Sequence, residues 1–379
     1  MAEIHSLNNA YLLVEDGCIA AFGPMAECPT TMHPVTDING GWVLPGFVDS
    51  HTHMVFASSR HMEFVMRLQG KTYEDIAAEG GGILNSAKKL QSMSQQELYD
   101  KAYQYALNAI NSGTTALEIK SGYGLSTDAE LKMLRVIKML KEQLPITVKS
   151  TFLGAHAFPT EFKQNHQGYI DILINEMLPA IAEENLADFI DVFCDKGFYS
   201  TEETALILNA GKQYGLRAKI HGNELGLTGG VQIAVANNAL SVDHLEHLSN
   251  VEIECLLESA TMPVILPGSS FFLKIPYAPG RQMIDAGLPV AIASDFNPGS
   301  SPHYNLWFTW SLACLYNGLL PAEAFNALTI NAAYALGISD THGSISVGKK
   351  ACLIQTRAFD SMNEMPYWFA QNHAQKVWY

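Results

Sequence analysis

The 379-residue chain has no Cys-x-x-Cys pair, and its six cysteines (Cys18, Cys28, Cys194, Cys255, Cys314 and Cys352) are scattered. That fits reduced thiols in a cytoplasmic protein better than a disulfide framework. It has no apolar run of the ~18–20 residues needed to span a membrane. The opening "MAEIHSLNNAYLLVEDG" lacks a basic segment followed by an apolar one, so no signal peptide is expected. Positive charge is scarce: 23 Lys and Arg stand against 38 Asp and Glu, for a formal net charge of −15. Nucleic acid and anionic membranes demand a basic surface, so neither is a main partner. Internal repeats and low-complexity stretches are missing too. With 48% hydrophobic residues, the chain can build a large core, either as two or three domains or as one barrel with attachments.

Apolar runs rich in Val, Ile and Phe recur at 43–51, 114–120, 146–156, 189–195, 217–221, 239–245, 262–267 and 289–295. Continuous apolar strands suit a parallel sheet buried on both faces. The segments between them have helical spacing. "SQQE" (Ser94 to Glu97), "TDAE" (Thr127 to Glu130) and "STEE" (Ser200 to Glu203) each match a capping box. Strand and helix alternating eight times predict an α/β fold, a (β/α)8 TIM-like barrel, for which ~250 residues is typical. A doubly wound sheet would carry a Gly-rich phosphate turn after its first strand. Here that strand ends in "HTH" instead.

The two ends read differently. "AYLLVEDGCIAAFGP" (10–24) predicts a hairpin turning at Asp16-Gly17, and "GSISVGKKACLIQTR" (343–357) is short-strand material with a Gly-Lys turn. Residues 1–43 and 344–379 are expected to pair as a small β-sandwich domain beside a barrel of residues 44–343. The first strand-to-helix connection runs from Phe56 to the helix near Ser94, and so long a loop usually serves function. "NLWFTWSLACLY" is apolar enough to pack on the barrel or on a second subunit, which leaves a homodimer open.

The chemistry begins with His51 and His53, which share a strand face. Alone, the pair could be two ordinary loop histidines. Further candidates stand at other strand ends: His221 in "AKIHGNE", His244 in "SVDHLEH" and Asp295 in "AIASDFNPG". Barrel strands all point their C-termini to one face, so these side chains should converge. Histidine and carboxylate ligands suit Zn²⁺ or another borderline divalent ion, which would turn bound water into a nucleophile near neutral pH. Glu224, three residues after His221, is the candidate general base, or else a solvated loop carboxylate or helix-cap partner. His244 is either an electrophile that polarises a carbonyl or an additional ligand.

At these residues the chain resembles the amidohydrolase superfamily. The resemblance covers nearly the whole sequence. It rests on "LPGFVDSHTHMVFASSRHMEF", "LQGKTYEDIAAEGGGI", "EIKSGYGL", "FLGAHAFP", "DVFCDKG", "VDHLEH" and "SDFNPGS". "GGGI", "KSGYGL" and "DFNPGS" point to the branch that hydrolyses the ring amide of 4-imidazolone-5-propanoate to N-formimidoyl-L-glutamate in histidine degradation. The resemblance implies one metal ion, usually zinc and in some members iron, held by His51, His53, His221 and Asp295. It makes Glu224 the base, with His244 and Asp295 also catalytic. It implies substrate contacts from Arg60, Tyr73, Tyr123, His156, Glu224, Asn297, Gly299 and Ser300. A planar guanidinium at Arg60 can hold the substrate's propionate by two charge-assisted bonds, unless Arg60 only pairs with Glu63. Tyr123 could equally be rim packing.

The chain also departs from wider family patterns. Many amidohydrolases bridge two metals with a carboxylated lysine at the end of strand four. Lys196 lies nearby in "VFCDKG", but the nearest branch uses one metal, so a mononuclear site is expected. "HGNE" replaces the family's commoner "HADE"-like run and keeps the spacing of His221 and Glu224. Relatives are also expected to carry a further N-terminal strand. Two rival functions remain: another cyclic amidase or nucleobase deaminase of the superfamily, and a barrel that has lost catalysis.

Overall fold

In the computed structural model, residues 3–30, 32, 34–72, 75, 76 and 79–379 are described. Tyr73, one of the expected substrate contacts, lies outside them. The centre is an eight-stranded parallel sheet in chain order: β4 (Phe47–Asp49), β5 (Thr114–Lys120), β6 (Thr147–Ala155), β7 (Phe189–Cys194), β8 (Arg217–Gly222), β9 (Ser241–His244), β10 (Met262–Ile265) and β11 (Ala291–Ile292). Each strand falls on one of the eight apolar runs.

Hydrogen bonds beyond the first and last strands close the barrel. Thr52 bridges Phe296 in parallel. Asp295 N–H donates to His51 C=O at 3.0 Å, and His53 N–H donates to Phe296 C=O at 2.9 Å. The closing seam therefore joins "HTH" to "SDF", so barrel closure itself brings His51, His53 and Asp295 together.

Around the barrel pack the connecting helices. Ser94 and Ser200 cap helices Gln95–Asn111 and Thr201–Gln213 with capping boxes, as their sequences predict. "TDAE" does not behave this way. Thr127 is the first helical residue after Ser126, and Glu130 turns inward to accept the N–H groups of Gly122, Gly124 and Leu125. A buried carboxylate facing three orphan donors is better satisfied there than at a solvated helix end. Helix Leu306–Tyr316 buries Trp307 and Trp310 against Phe47, and Trp307 Nε1 donates to Ser112 C=O at 2.8 Å. Most of this helix is therefore covered by the barrel itself. The long first connection contains helices His61–Leu68 and Ile83–Ser92.

The terminal segments add antiparallel sheets. β1 (Ala10–Glu15) and β2 (Cys18–Pro24) form a hairpin whose turn residues, Asp16 and Gly17, both have positive φ, the pattern of a type I′ turn. β3 (Val43–Pro45), β12 (Leu353–Thr356) and β13 (Ala374–Trp378) form a three-stranded sheet in the order β13-β12-β3. Ile19, Ala351 and Leu353 share a small apolar core between the two sheets. The chain passes from this sheet into the barrel at Gly46, where a Cβ would stand 2.2 Å from the Thr115 hydroxyl. Only glycine fits that crossing.

Candidate metal centre and active site

The seam delivers His51 and His53 from the end of β4 and Asp295 from just beyond β11, while β8 delivers His221. His53 Nε2 lies 3.2 Å from His51 Nε2 and 3.3 Å from His221 Nε2. Asp295 Oδ1 lies 3.6 Å from the Nε2 atoms of both His51 and His53. A tetrahedral ion with bonds of about 2.0–2.1 Å requires donor–donor edges of about 3.3–3.4 Å. The edges from His53 to His51 and His221 match that value, the two to Asp295 are slightly longer, and the three histidines form a cluster able to hold a metal ion.

The protonation pattern agrees. Burial holds His51 and His53 well below the ordinary histidine range, with Lys120 adding to the effect on His51 and His156 to that on His53. Burial also lowers His221, against the pull of Asp191. Neutral imidazole is the ligating form. The rear nitrogens are aimed by carboxylates: His51 Nδ1 is 2.6 Å from Asp243 Oδ2 and His221 Nδ1 is 3.0 Å from Asp191 Oδ2. Three nitrogen lone pairs left facing one another at hydrogen-bond distance are satisfied by a cation at their centre.

Beside this cluster stands a second group. His244 Nδ1 lies 3.7 Å from Glu224 Oε2 and 3.5 Å from Glu246 Oε1. Burial pulls His244 down, but Glu224 and Glu246 overcome it and hold the imidazole well above its usual value. Burial pushes Glu224 up to about 7, opposed by His244 and reinforced by Glu246 and Asp195. Asp295 is likewise raised to about 7 by burial, against His244 and with Glu224. His244 and Asp295 have φ of 88° and 52°. Left-handed backbone at non-glycine residues concentrates at functional sites.

The remaining expected contacts line one side of the mouth. The His156 ring stacks on His53 at 5.2 Å, and Tyr123 lies 5.8 Å from His53 and 5.4 Å from His156. The Arg60 guanidinium lies 5.7 Å from the Tyr123 ring centroid, and its Nε donates to Ser86 Oγ at 2.9 Å. Glu63 accepts Gly82 N–H at 3.0 Å, while the Arg60 Nε is turned to Ser86. The loop after β11 differs in detail from the sequence reading. Asn297 Oδ1 accepts the N–H groups of Gly299 and Ser300, and its Nδ2 donates to Asp295 C=O and Ser300 Oγ. The Gly299 N–H is therefore used inside the loop. Gly299 matters because a Cβ there would lie 2.7 Å from Arg60 Nη1. Lys196 is exposed beyond the end of β7, outside the ligand cluster.

An amidohydrolase family model matches residues 42–377. The chain belongs to the amidohydrolase family. A relative from Flavobacterium johnsoniae named imidazolonepropionase is 52% identical over 378 residues, covering 100% of this chain and 92% of that protein. One of the same name from a Shewanella species (strain ANA-3) is 46% identical and covers 91% of this chain and 86% of its own. These relatives and the family mark this amidohydrolase as a hydrolase and bear out the branch indicated by "GGGI", "KSGYGL" and "DFNPGS". Solved structures share its fold at low identity. A triazine hydrolase variant superposes with a TM-score of 0.77 at 17% identity, covering 98% of this chain and 89% of that one. A 5-methylcytosine deaminase from Klebsiella pneumoniae gives 0.76 at 16%, covering 97% and 91%.

Sequence reasoning missed the residues behind this cluster: Asp191, Asp243 and Glu246, together with Glu118, Lys120 and Lys219, all buried. Their signal was present. Apart from Glu246, which follows the end of β9, they are charges on apolar strands, as in "LEIK" and "AKIH", where alternation sends them into the barrel.

Proposed function

We propose that this amidohydrolase hydrolyses the ring amide of 4-imidazolone-5-propanoate to N-formimidoyl-L-glutamate, in histidine degradation and in the cytoplasm. The observation that carries this reading is the cation at the mouth. Arg60 is seated beside Tyr123, on the His53 side of the four donors, where it can hold a propionate while the ring carbonyl reaches the centre. The name shared by the 46–52% identical relatives supports the same substrate.

His51, His53, His221 and Asp295 would hold a single ion, Zn²⁺ by the chemistry of the donors, with iron as the alternative. Such an ion polarises a carbonyl and lowers the pKa of bound water. Glu224 takes the proton of the attacking water and delivers it to the ring nitrogen as the C–N bond breaks. The water oxygen stays on the former carbonyl carbon as part of a new carboxylate. Burial sets Glu224 near 7, where a base can both accept and release that proton. His244, kept protonated by Glu224 and Glu246, donates to the carbonyl oxygen as negative charge develops. Tyr123 and His156 wall the substrate. Asn297 and Ser300 shape the loop that closes on it, and Gly299 leaves room for Arg60. We read the terminal segments, 1–43 and 344–379, as a small β domain that braces the barrel seam and takes no part in chemistry.

A nucleobase deaminase would need no cation for a carboxylate, and Arg60 therefore separates the readings. Arg60→Ala should raise KM for 4-imidazolone-5-propanoate by the equivalent of roughly 2–4 kcal/mol. It should leave turnover of an imidazolone without the propionate unchanged. An equal effect on both substrates would refute the assignment.

A further inference from the structure

Beneath the four donors the barrel interior is filled with charge. Glu118, Lys120, Asp191, Lys219 and Asp243 are each fully buried. Lys120 Nζ donates to Glu118 Oε1 and Asp191 Oδ2, both at 2.8 Å, and lies 3.6 Å from Asp243 Oδ2. Lys219 Nζ donates to Glu118 Oε2 at 2.6 Å and Ser50 C=O at 2.9 Å. Thr151 donates its hydroxyl to Glu118. No apolar residue separates this layer from the histidines, because Asp243 touches both His51 and Lys120, and Asp191 touches both His221 and Lys120.

Isolated buried ions are costly, and a layer like this contributes little to stability compared with apolar packing of the same volume. Its geometry suggests another purpose. Asp243 accepts from the rear nitrogen of His51, and Asp191 Oδ2 stands 3.0 Å from the rear nitrogen of His221, a placement that favours a proton on each Nδ1 and leaves Nε2 unprotonated toward the centre. Each carboxylate is in turn held by the ammonium of Lys120. Asp191 adds a second hold, accepting His221 N–H at Oδ1 at 3.1 Å. One lysine thus ties together the supports of two ligands that arrive from opposite sides of the barrel, on β4 and β8.

We infer that Asp243 and Asp191, joined through Lys120, are positioning residues that fix the tautomer and ring orientation of His51 and His221 and so set metal affinity. This rests on the metal reading above. Outer-shell partners of ligating histidines typically contribute 10–100-fold in affinity.

The test is chelator competition on the holoprotein, with the visible spectrum of the Co²⁺-substituted protein as a second readout. Asp243→Asn and Asp191→Asn should each weaken metal binding about 10–100-fold and shift the Co²⁺ absorption bands. Asparagine can turn its amide toward the imidazole and disfavour the ligating tautomer. Glu323→Gln serves as the control. Glu323 is also a buried carboxylate, paired with Arg281 at 2.8 Å on helix Pro321–Leu328, and touches no ligand. It should lower the melting temperature and leave metal affinity unchanged. Parent-like affinity and spectra in both aspartate variants would overturn the inference while leaving the metal centre standing. A parent protein that binds no metal would instead remove the reading beneath it. If one aspartate variant fails to fold, the other decides the result alone.

Discussion

Gly299→Ala offers a perturbation that acts on substrate binding without touching a donor. A Cβ at this position would sit 2.7 Å from Arg60 Nη1 and 3.2 Å from Arg60 Cζ. Ordinary contact between heavy atoms lies near 3.5 Å or beyond, so the guanidinium must retreat by about 0.8 Å. Arg60 Nε is tethered to Ser86 Oγ at 2.9 Å, and the same displacement would stretch that bond past the usual limit. The arginine then loses its tether and its alignment with the propionate together. Losing half of a charge-assisted contact of about 1.5–3 kcal/mol is about a 4- to 13-fold effect. The clash meets the flexible end of a side chain, so the fold should tolerate it, and the melting temperature should move by only a few degrees. Steady-state kinetics on 4-imidazolone-5-propanoate should therefore show KM rising about 4- to 13-fold, with kcat carrying little of the change. Unchanged KM in a normally folded variant would refute the seat assigned to Arg60. So would an equal loss on a substrate lacking the propionate.

Other consequences follow from the same geometry. Glu224→Gln should retain its metal and lower kcat by ~10²-fold or more; unchanged kcat would remove Glu224 from proton transfer. Burial pushes His342 down to about 4, with Lys350 and Lys349 adding to it, so the folded protein keeps this imidazole neutral where the unfolded chain would protonate it. Its contribution to stability is present above pH ~6.5 and lost as pH falls toward 4. Melting temperatures recorded between pH 7 and 4 should fall, and His342→Gln should flatten that slope. An unaltered slope would assign the acid sensitivity to other groups.

How far the sequence could be read depends on where each residue sits. All eight barrel strands were visible because strands buried on both faces must be continuously apolar. The convergence of His51, His53, His221 and Asp295 was visible because strand ends of a barrel share one face. Hidden features had causes that act across the chain. Glu130 looks like a capping residue until the "KSGYGL" loop presents three unpaired N–H groups to it. Asp191, Asp243, Lys120 and Lys219 vary the apolar pattern of their strands, and only the closed barrel makes them neighbours. Gly299 was legible as a requirement for close approach, but the approaching group is Arg60, from the far end of the sequence. The positive φ at His244 and Asp295 leaves no compositional trace, since neither residue is glycine.

The most direct test of the central claim is metal content per chain, measured together with turnover of 4-imidazolone-5-propanoate before and after chelation. Convergence of His51, His53, His221 and Asp295 on one ion predicts a single equivalent of metal. It also predicts loss of turnover when the metal is stripped, and recovery when Zn²⁺ or iron is returned. Full turnover by metal-free protein would contradict the account.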